Sequence, residues 1–161
     1  TDDVEVLAGG LSELIAEGET ALFDSLIDGL YYFGGLKGKR ALILLTDGED
    51  SSSAFDFDES LEYARRAGVA IYAVGLAIPS RHVEARHHLQ RLSRETGGDT
   101  FYVDSTLGLK RIYSQIEREL RSQYLLTYES TSSERDGKFR EIEVEVLERG
   151  LEAKTMRGYY P

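Results

Sequence analysis

The sequence predicts an α/β fold: a mostly parallel sheet with helices on both faces, followed by a C-terminal antiparallel β-hairpin. Three observations carry this. Unbroken apolar runs within Arg40–Thr46 and Val69–Leu76 suit strands covered on both faces, as in a parallel sheet. Segments with helical apolar spacing alternate with those runs, which is the order of a βα sheet. Between Phe139 and Leu147 the period changes to two, with Ile142, Val144 and Val146 on one face and Glu141, Glu143 and Glu145 on the other.

Taken in order, Val4–Leu7 is expected as a short strand broken by Gly9-Gly10, and Leu11–Ala16 as a short helix. Leu22, Leu26, Ile27, Leu30 and Phe33 give Ala21–Phe33 helical spacing, and Gly34-Gly35 ends it. Arg40–Thr46 is a strand. Asp56 and Glu59 have capping-box spacing, so a helix follows over Phe57–Ala67 with Gly68 at its C-terminal cap. Val69–Leu76 is the second buried strand, Val83–Thr96 a charged helix closed by Gly97-Gly98, and Thr100–Val103 a third strand. Leu109, Ile112, Ile116 and Leu120 mark a last helix. Tyr124–Tyr128 reads as a strand, Ser130–Lys138 as a polar turn region, and Leu151–Met156 as the strand returning after a turn at Glu148-Arg149-Gly150. Glu141, Glu143 and Glu145 are expected to face solvent, offset across the hairpin by Lys154 and Arg157. Tyr102, Tyr113, Tyr124, Tyr128, Tyr159 and Tyr160 are expected mostly as packing aromatics.

The 161 residues are room for one domain, at about 100–200 residues per domain. Without cysteine there is no disulfide scaffold, thiolate metal site or cysteine nucleophile. No apolar run approaches the length of a membrane span, so no membrane insertion is expected. Net charge is −10, and residues 1–36 hold eight acids and no base. That front end disfavours a nucleic-acid backbone and suits a cation or a solvated surface.

The sharpest local feature is Leu44-Leu45-Thr46-Asp47-Gly48-Glu49-Asp50, followed by Ser51–Ser53. It sets a carboxylate at the C-terminal end of a buried parallel strand, where open α/β sheets bind ligands. Carboxylates beside hydroxyls suit a hard cation; a solvated turn is the alternative. Gly18-Glu19-Thr20-Ala21-Leu22-Phe23-Asp24 sets a Thr hydroxyl before a helix, where Thr20 serves as a helix cap or a ligand and Asp24 is expected to be exposed. His82, His87 and His88 lack ligand spacing for one helix face and are expected as exposed residues among Arg81, Arg86 and Arg91. Neither a Gly-x-Ser-x-Gly elbow nor a Walker-type phosphate loop is present.

Four ordered motifs together resemble a von Willebrand factor A-type domain: Gly18–Leu26, Leu45–Gly48, Gly68–Gly75 and Thr96–Phe101. The resemblance runs from about Val4 to Tyr124. The tail (Gln123–Tyr128, Asp136–Phe139, Arg157–Tyr160) resembles a bacterial subgroup with a C-terminal β extension. The resemblance implies a Rossmann-like partial family domain over residues 1–123 and a β-strand extension over 124–161. It implies a metal-ion-dependent adhesion site for Mg²⁺ or Mn²⁺, with Ca²⁺ as a third option. Thr20 and Asp47 would be ligands, and Gly48, Glu49 and Asp50 would surround them.

The family's Asp-x-Ser-x-Ser motif is not in this sequence, so the cation site is expected to be incomplete here. The sequence aligns from about the family's third strand onward. The strand at Arg40–Thr46 should then expose one edge and apolar faces, to be covered by an N-terminal segment, a second copy in a homodimer, or the tail. The implied function is a non-enzymatic protein-binding module whose partner presents an acidic group, in an extracytoplasmic setting. The alternatives are a degenerate scaffold without metal and a Mg²⁺-dependent phosphoryl-transfer enzyme with Asp47, Glu49 and Asp50 on the metal. Lys37, Lys39 and Arg40, at the far end of the strand, argue against the enzyme.

Overall fold

The computed structural model describes residues 3–15, 17–36, 38–130 and 136–161. Part of the expected Ser130–Lys138 turn, and Lys37, lie outside the described residues.

The chain begins with helix α1 (Val4–Ser12), not the expected strand and second short helix. Asp3 caps it by accepting the N–H groups of Glu5 and Val6, and the turns close through Gly9-Gly10. A local cap outweighed the β-propensity of two valines and the cost of two glycines. No residue of α1 is buried.

From there the expected alternation holds. Helix α2 (Leu22–Tyr31), strand β1 (Ala41–Thr46), helix α3 (Phe57–Ala67), strand β2 (Ala70–Leu76), helix α4 (Val83–Thr96), strand β3 (Thr100–Val103) and helix α5 (Leu109–Arg121) follow in turn. The Asp56–Glu59 capping box starts α3, and left-handed Gly68 stops it at φ +60. The three strands pair in parallel in the order β1-β2-β3.

Alternating residues divide the core. Leu42, Leu44 and Ile71 pack with Leu26 and Leu30 of α2, Leu61 and Ala64 of α3 and Leu92 of α4. On the opposite face Tyr72, Val74 and Val103 meet Ile112 and Ile116 of α5. Each such aliphatic side chain contributes about 1.5–3 kcal/mol by leaving water.

Helix α5 packs on β2 and β3, and Ala41 at the start of β1 joins the same cluster. Ile43 pairs in register with buried Tyr72, and Leu45 with buried Val74, yet Ile43 and Leu45 are 39% and 45% exposed. The expected uncovered edge is therefore present, with its apolar stripe on the α5 side.

Among the described residues, the tail does not fill it. Strands β4 (Arg140–Glu141) and β5 (Gly158–Tyr159) form a separate antiparallel pair. This hairpin is shorter than the sequence indicates, with Ile142 N–H to the Arg157 carbonyl as its next rung at 2.8 Å. Tyr124–Tyr128 and Leu151–Met156 are not strands. Ile142 and Val144 are half-buried while Glu141, Glu143 and Glu145 are exposed, so the alternation survives without a full ladder.

The tail instead straps the end of the sheet where β2 and β3 begin. Tyr160 donates to Glu62 of α3 and its ring lies 4.0 Å from the Arg66 guanidinium carbon. Arg157 N–H donates to the Glu95 carbonyl of α4. Lys154 does not offset the glutamate row; it pairs with Asp99 and, at 3.7 Å, with Glu119. Tyr102, Tyr159 and Tyr160 are at least half-buried, whereas Tyr113, Tyr124 and Tyr128 are exposed, contrary to the expectation that most would pack.

Candidate functional site

At the C-terminal end of β1 the chain turns sharply through Asp47 and Gly48. Gly48 N–H donates to Thr46 Oγ1 at 3.0 Å, and Asp47 Oδ1 accepts the N–H of Glu49 at 3.2 Å. Gly48 sits at φ +83, where a Cβ would meet Ile78 Cδ1 at 2.9 Å and the Ala85 Cβ at 3.0 Å. Glycine is thus required both by conformation and by the close approach of the layer beneath. The Asp47 carboxylate is exposed above it.

The loop after Asp47 is clasped to the start of α2. The Thr20 carbonyl accepts the N–H groups of Ser51 at 2.8 Å and Ser52 at 3.1 Å, and Thr20 N–H donates to Ser51 Oγ. Asp50 Oδ1 accepts Leu22 N–H at 2.7 Å and Phe23 N–H at 3.3 Å. Ser53 Oγ accepts Phe23 and Asp24 N–H. In return the Asp24 carboxylate accepts the N–H groups of Ala54 and Phe55.

Two expectations are corrected here. Thr20 does not cap α2: Ala21 holds the cap position with no side-chain hydrogen bond, and the free N–H groups are taken by Asp50 and Ser53 from another segment. Asp24 is not a solvated helix residue but a half-buried acceptor for the loop. The signal for both was a carboxylate in the first turn of α2 facing a serine-rich loop, and only the third dimension brings them together.

Burial raises the Asp50 carboxyl's affinity for a proton, but hydrogen bonds from Ser53, Phe23 and Leu22 outweigh it and hold the group below its usual value. Asp50 is therefore engaged as a strut. Glu49 is exposed beside it.

One histidine also departs from expectation. His82 and His87 are exposed, but His88 is half-buried and stacks on Phe57 with ring centroids 4.0 Å apart. Burial lowers its pKa below the usual histidine value.

Thr20 and Asp47 are thus both exposed, and the clasp joins the Thr20 segment to the loop that follows Asp47. Both supply oxygen donors, the type a hard cation takes. Two donors do not enclose one, and among the described residues no group of three or more His, Cys, Asp or Glu is arranged to hold a metal. The donor chemistry fits such a cation, and the donor number requires water or a further segment.

A family model for the von Willebrand factor type A domain matches residues 16–115, a span holding both Thr20 and Asp47. The chain belongs to that family. Among curated proteins, the domain is similar to mouse integrin alpha-M, at 27% identity over 82 residues, and to human integrin alpha-D, at 28% over 83 residues. Each match spans about half of this chain and 7% of the integrin. Among solved structures it is similar to a conserved hypothetical protein, BatB, from Bacteroides thetaiotaomicron, at 18% identity and TM-score 0.57, over 76% of this chain and 72% of that one. An aerotolerance-related membrane protein from Bacteroides fragilis gives the same identity and TM-score, over 76% and 71%. These structural likenesses show the fold. Among the described residues, no helix is long and apolar enough to cross a membrane.

Proposed function

We propose that this von Willebrand factor type A domain is a non-enzymatic protein-binding module working through a divalent cation. The Thr20 hydroxyl and Asp47 carboxylate supply two oxygen donors to Mg²⁺ or Mn²⁺, with Ca²⁺ as a weaker alternative. Gly48 shapes the turn, Asp50 holds it against α2, and Glu49 borders it. Water and a segment docked beside β1 supply the remaining donors, and an acidic group on the partner protein completes the shell. The observation that carries this reading is the clasp. Hydrogen bonds join the Thr20 segment to the loop that follows Asp47, which supports a joint role for these two distant oxygen donors.

The bare stripe of Ile43 and Leu45 supports a missing neighbour. That neighbour is an upstream segment or a second copy of this chain. Residues 1–123 form the family part and 124–161 the extension that braces its far end. The integrin relatives favour an extracytoplasmic setting.

Phosphoryl transfer is disfavoured by the positions of Lys39 and Arg40, the cations next to β1 in the sequence. Lys39 donates to the Gln123 carbonyl and Arg40 to the Phe33 and Gly68 carbonyls, all at the opposite end of β1. A scaffold without metal is the alternative that the test addresses.

The test is a calorimetric Mn²⁺ titration of this chain, of the chain joined to its natural upstream sequence, and of the longer form carrying Asp47→Ala. Saturable binding by the longer form alone is expected. Absence of binding in all three overturns the cation reading.

A further inference from the structure

Beneath the Asp47–Gly48 turn lies a small apolar pocket lined by Phe23, Gly48, Phe57, Ala85, His88 and Leu89. Three rings from three helices meet there. His88 of α4 lies flat on Phe57 of α3, at 4.0 Å and an interplanar angle of 9°. Phe23 of α2 meets both edge-on, 5.9 Å from Phe57 and 6.0 Å from His88. Phe23 is also the residue whose N–H is shared by Asp50 and Ser53. One residue therefore joins the ring stack to the clasp of the candidate site. We propose that protonation of His88 loosens the Phe23–Phe57–His88 stack and releases the first turn of α2 from the Asp50–Ser53 loop, so that this face of the domain opens in mild acid.

The surroundings set the sign. On α4, Glu84 favours the charged ring, while His87 and Arg91 oppose it. On α3, Asp58 favours it, but Asp58 is already paired with Arg91 at 2.8 Å. The Arg91 guanidinium also lies 5.4 Å from the Phe57 ring centroid, so a cation already occupies part of that ring's field. From α2 the contact is the apolar ring of Phe23. Burial is the largest influence and it disfavours the charged form. A charged imidazole gains water and Glu84 by turning outward, and Phe57, only 8% exposed, then loses its cover. Stability from the neutral ring is fully present above the unfolded histidine's value, near pH 6.5, and is lost as pH falls through the lower folded one.

Hydrogen exchange at the Leu22, Phe23 and Asp24 amides between pH 7.5 and 5, corrected for intrinsic rates, tests this on the chain as it stands. In wild type, protection should fall below pH 6.5 by up to about tenfold per pH unit, the slope of one bound proton. His88→Phe keeps an aromatic ring that cannot titrate and should be flat over this range; His87→Gln should behave as wild type. Equal loss in His88→Phe overturns the proposal. Should that variant not fold, NMR titration of His88 in wild type decides: its midpoint must lie below 6.5, and the loss of protection must begin near 6.5 and level off at that midpoint. None of these readouts involves a metal, so they stand apart from the cation test.

Discussion

Asp50 Oδ1 accepts the N–H of Leu22 across 28 residues of chain, at 2.7 Å. A helix N-terminus leaves its first N–H groups without partners, and a side chain just ahead of the helix normally takes them. Here the cap comes from the loop after β1. Removing it should both destabilise α2 and free the loop. Asp50→Ala is expected to cost about 1 kcal/mol, typical of a lost cap, and Asp50→Asn less. The carboxylate is held below its usual pKa, so its contribution is fully present above about pH 4 and is lost as pH falls through the lowered value. Urea unfolding of wild type and Asp50→Asn at pH 3 and pH 6 checks this: the gap between them should narrow at pH 3.

Tyr160 fastens the C-terminal strap to α3. Its hydroxyl donates to Glu62 while its ring lies over Arg66. Burial pushes the Glu62 carboxyl up, but hydrogen bonds from Tyr160 and Arg66 bring it below its usual value. Tyr160→Phe keeps the ring on Arg66 and removes only the hydrogen bond. It should cost about 1 kcal/mol and raise the Glu62 pKa toward the ordinary range. Denaturant midpoints and a carboxyl NMR titration measure the two effects independently. An unchanged Glu62 titration would show that the Tyr160 hydroxyl does not hold the strap.

How much was legible in the sequence divides along a physical line. Elements fixed by local chemistry were read to the residue: the Asp56–Glu59 box and Gly68 set both ends of α3. Unbroken apolar runs gave β1 and β2 within one residue, although Ile43 and Leu45 leave one face of β1 exposed. Thr20 and Asp47 stand as candidates through the resemblance of their motifs. What spacing cannot carry is contact between segments. Asp24, Ser51 and Ser53 became structural only because α2 lies against the loop, and His88 left the surface only because Phe57 and Phe23 converge on it. At the N-terminus the error was local: two valines suggested a strand, and the Asp3 cap decided for a helix.

Ile43 and Leu45 should make this chain associate through β1 when it stands alone. A free strand edge beside an apolar stripe is a template for another strand. Leu45→Lys places a charge on that stripe, and at 45% exposure the side chain can reach water. The change is expected to lower self-association in sedimentation experiments while altering unfolding stability by no more than about 0.5 kcal/mol. Unaltered association would place the contact elsewhere, on α1 or the exposed Tyr124–Leu126 segment.

Gly48 offers the strictest test of how the candidate site is built. Its backbone is left-handed, and a methyl group would press on Ile78 and Ala85 in the layer below. Gly48→Ala therefore meets two penalties, a conformational one of about 1 kcal/mol and an overpacking one of about 1–3 kcal/mol. The side chain of Ile78 can turn away, but the Ala85 Cβ cannot, so the second is relieved only in part and the first not at all. Relief would come from shifting the turn outward, carrying the Asp47 carboxylate with it. A lower melting temperature is expected together with weaker hydrogen-exchange protection at Glu49, whose N–H reports the Asp47 turn. Asp47→Asn, which keeps the turn's acceptor, should leave both readings near wild type. Loss of stability in Gly48→Ala without change at Glu49 would mean that the strain is absorbed in α4, and that the turn keeps its shape without the glycine.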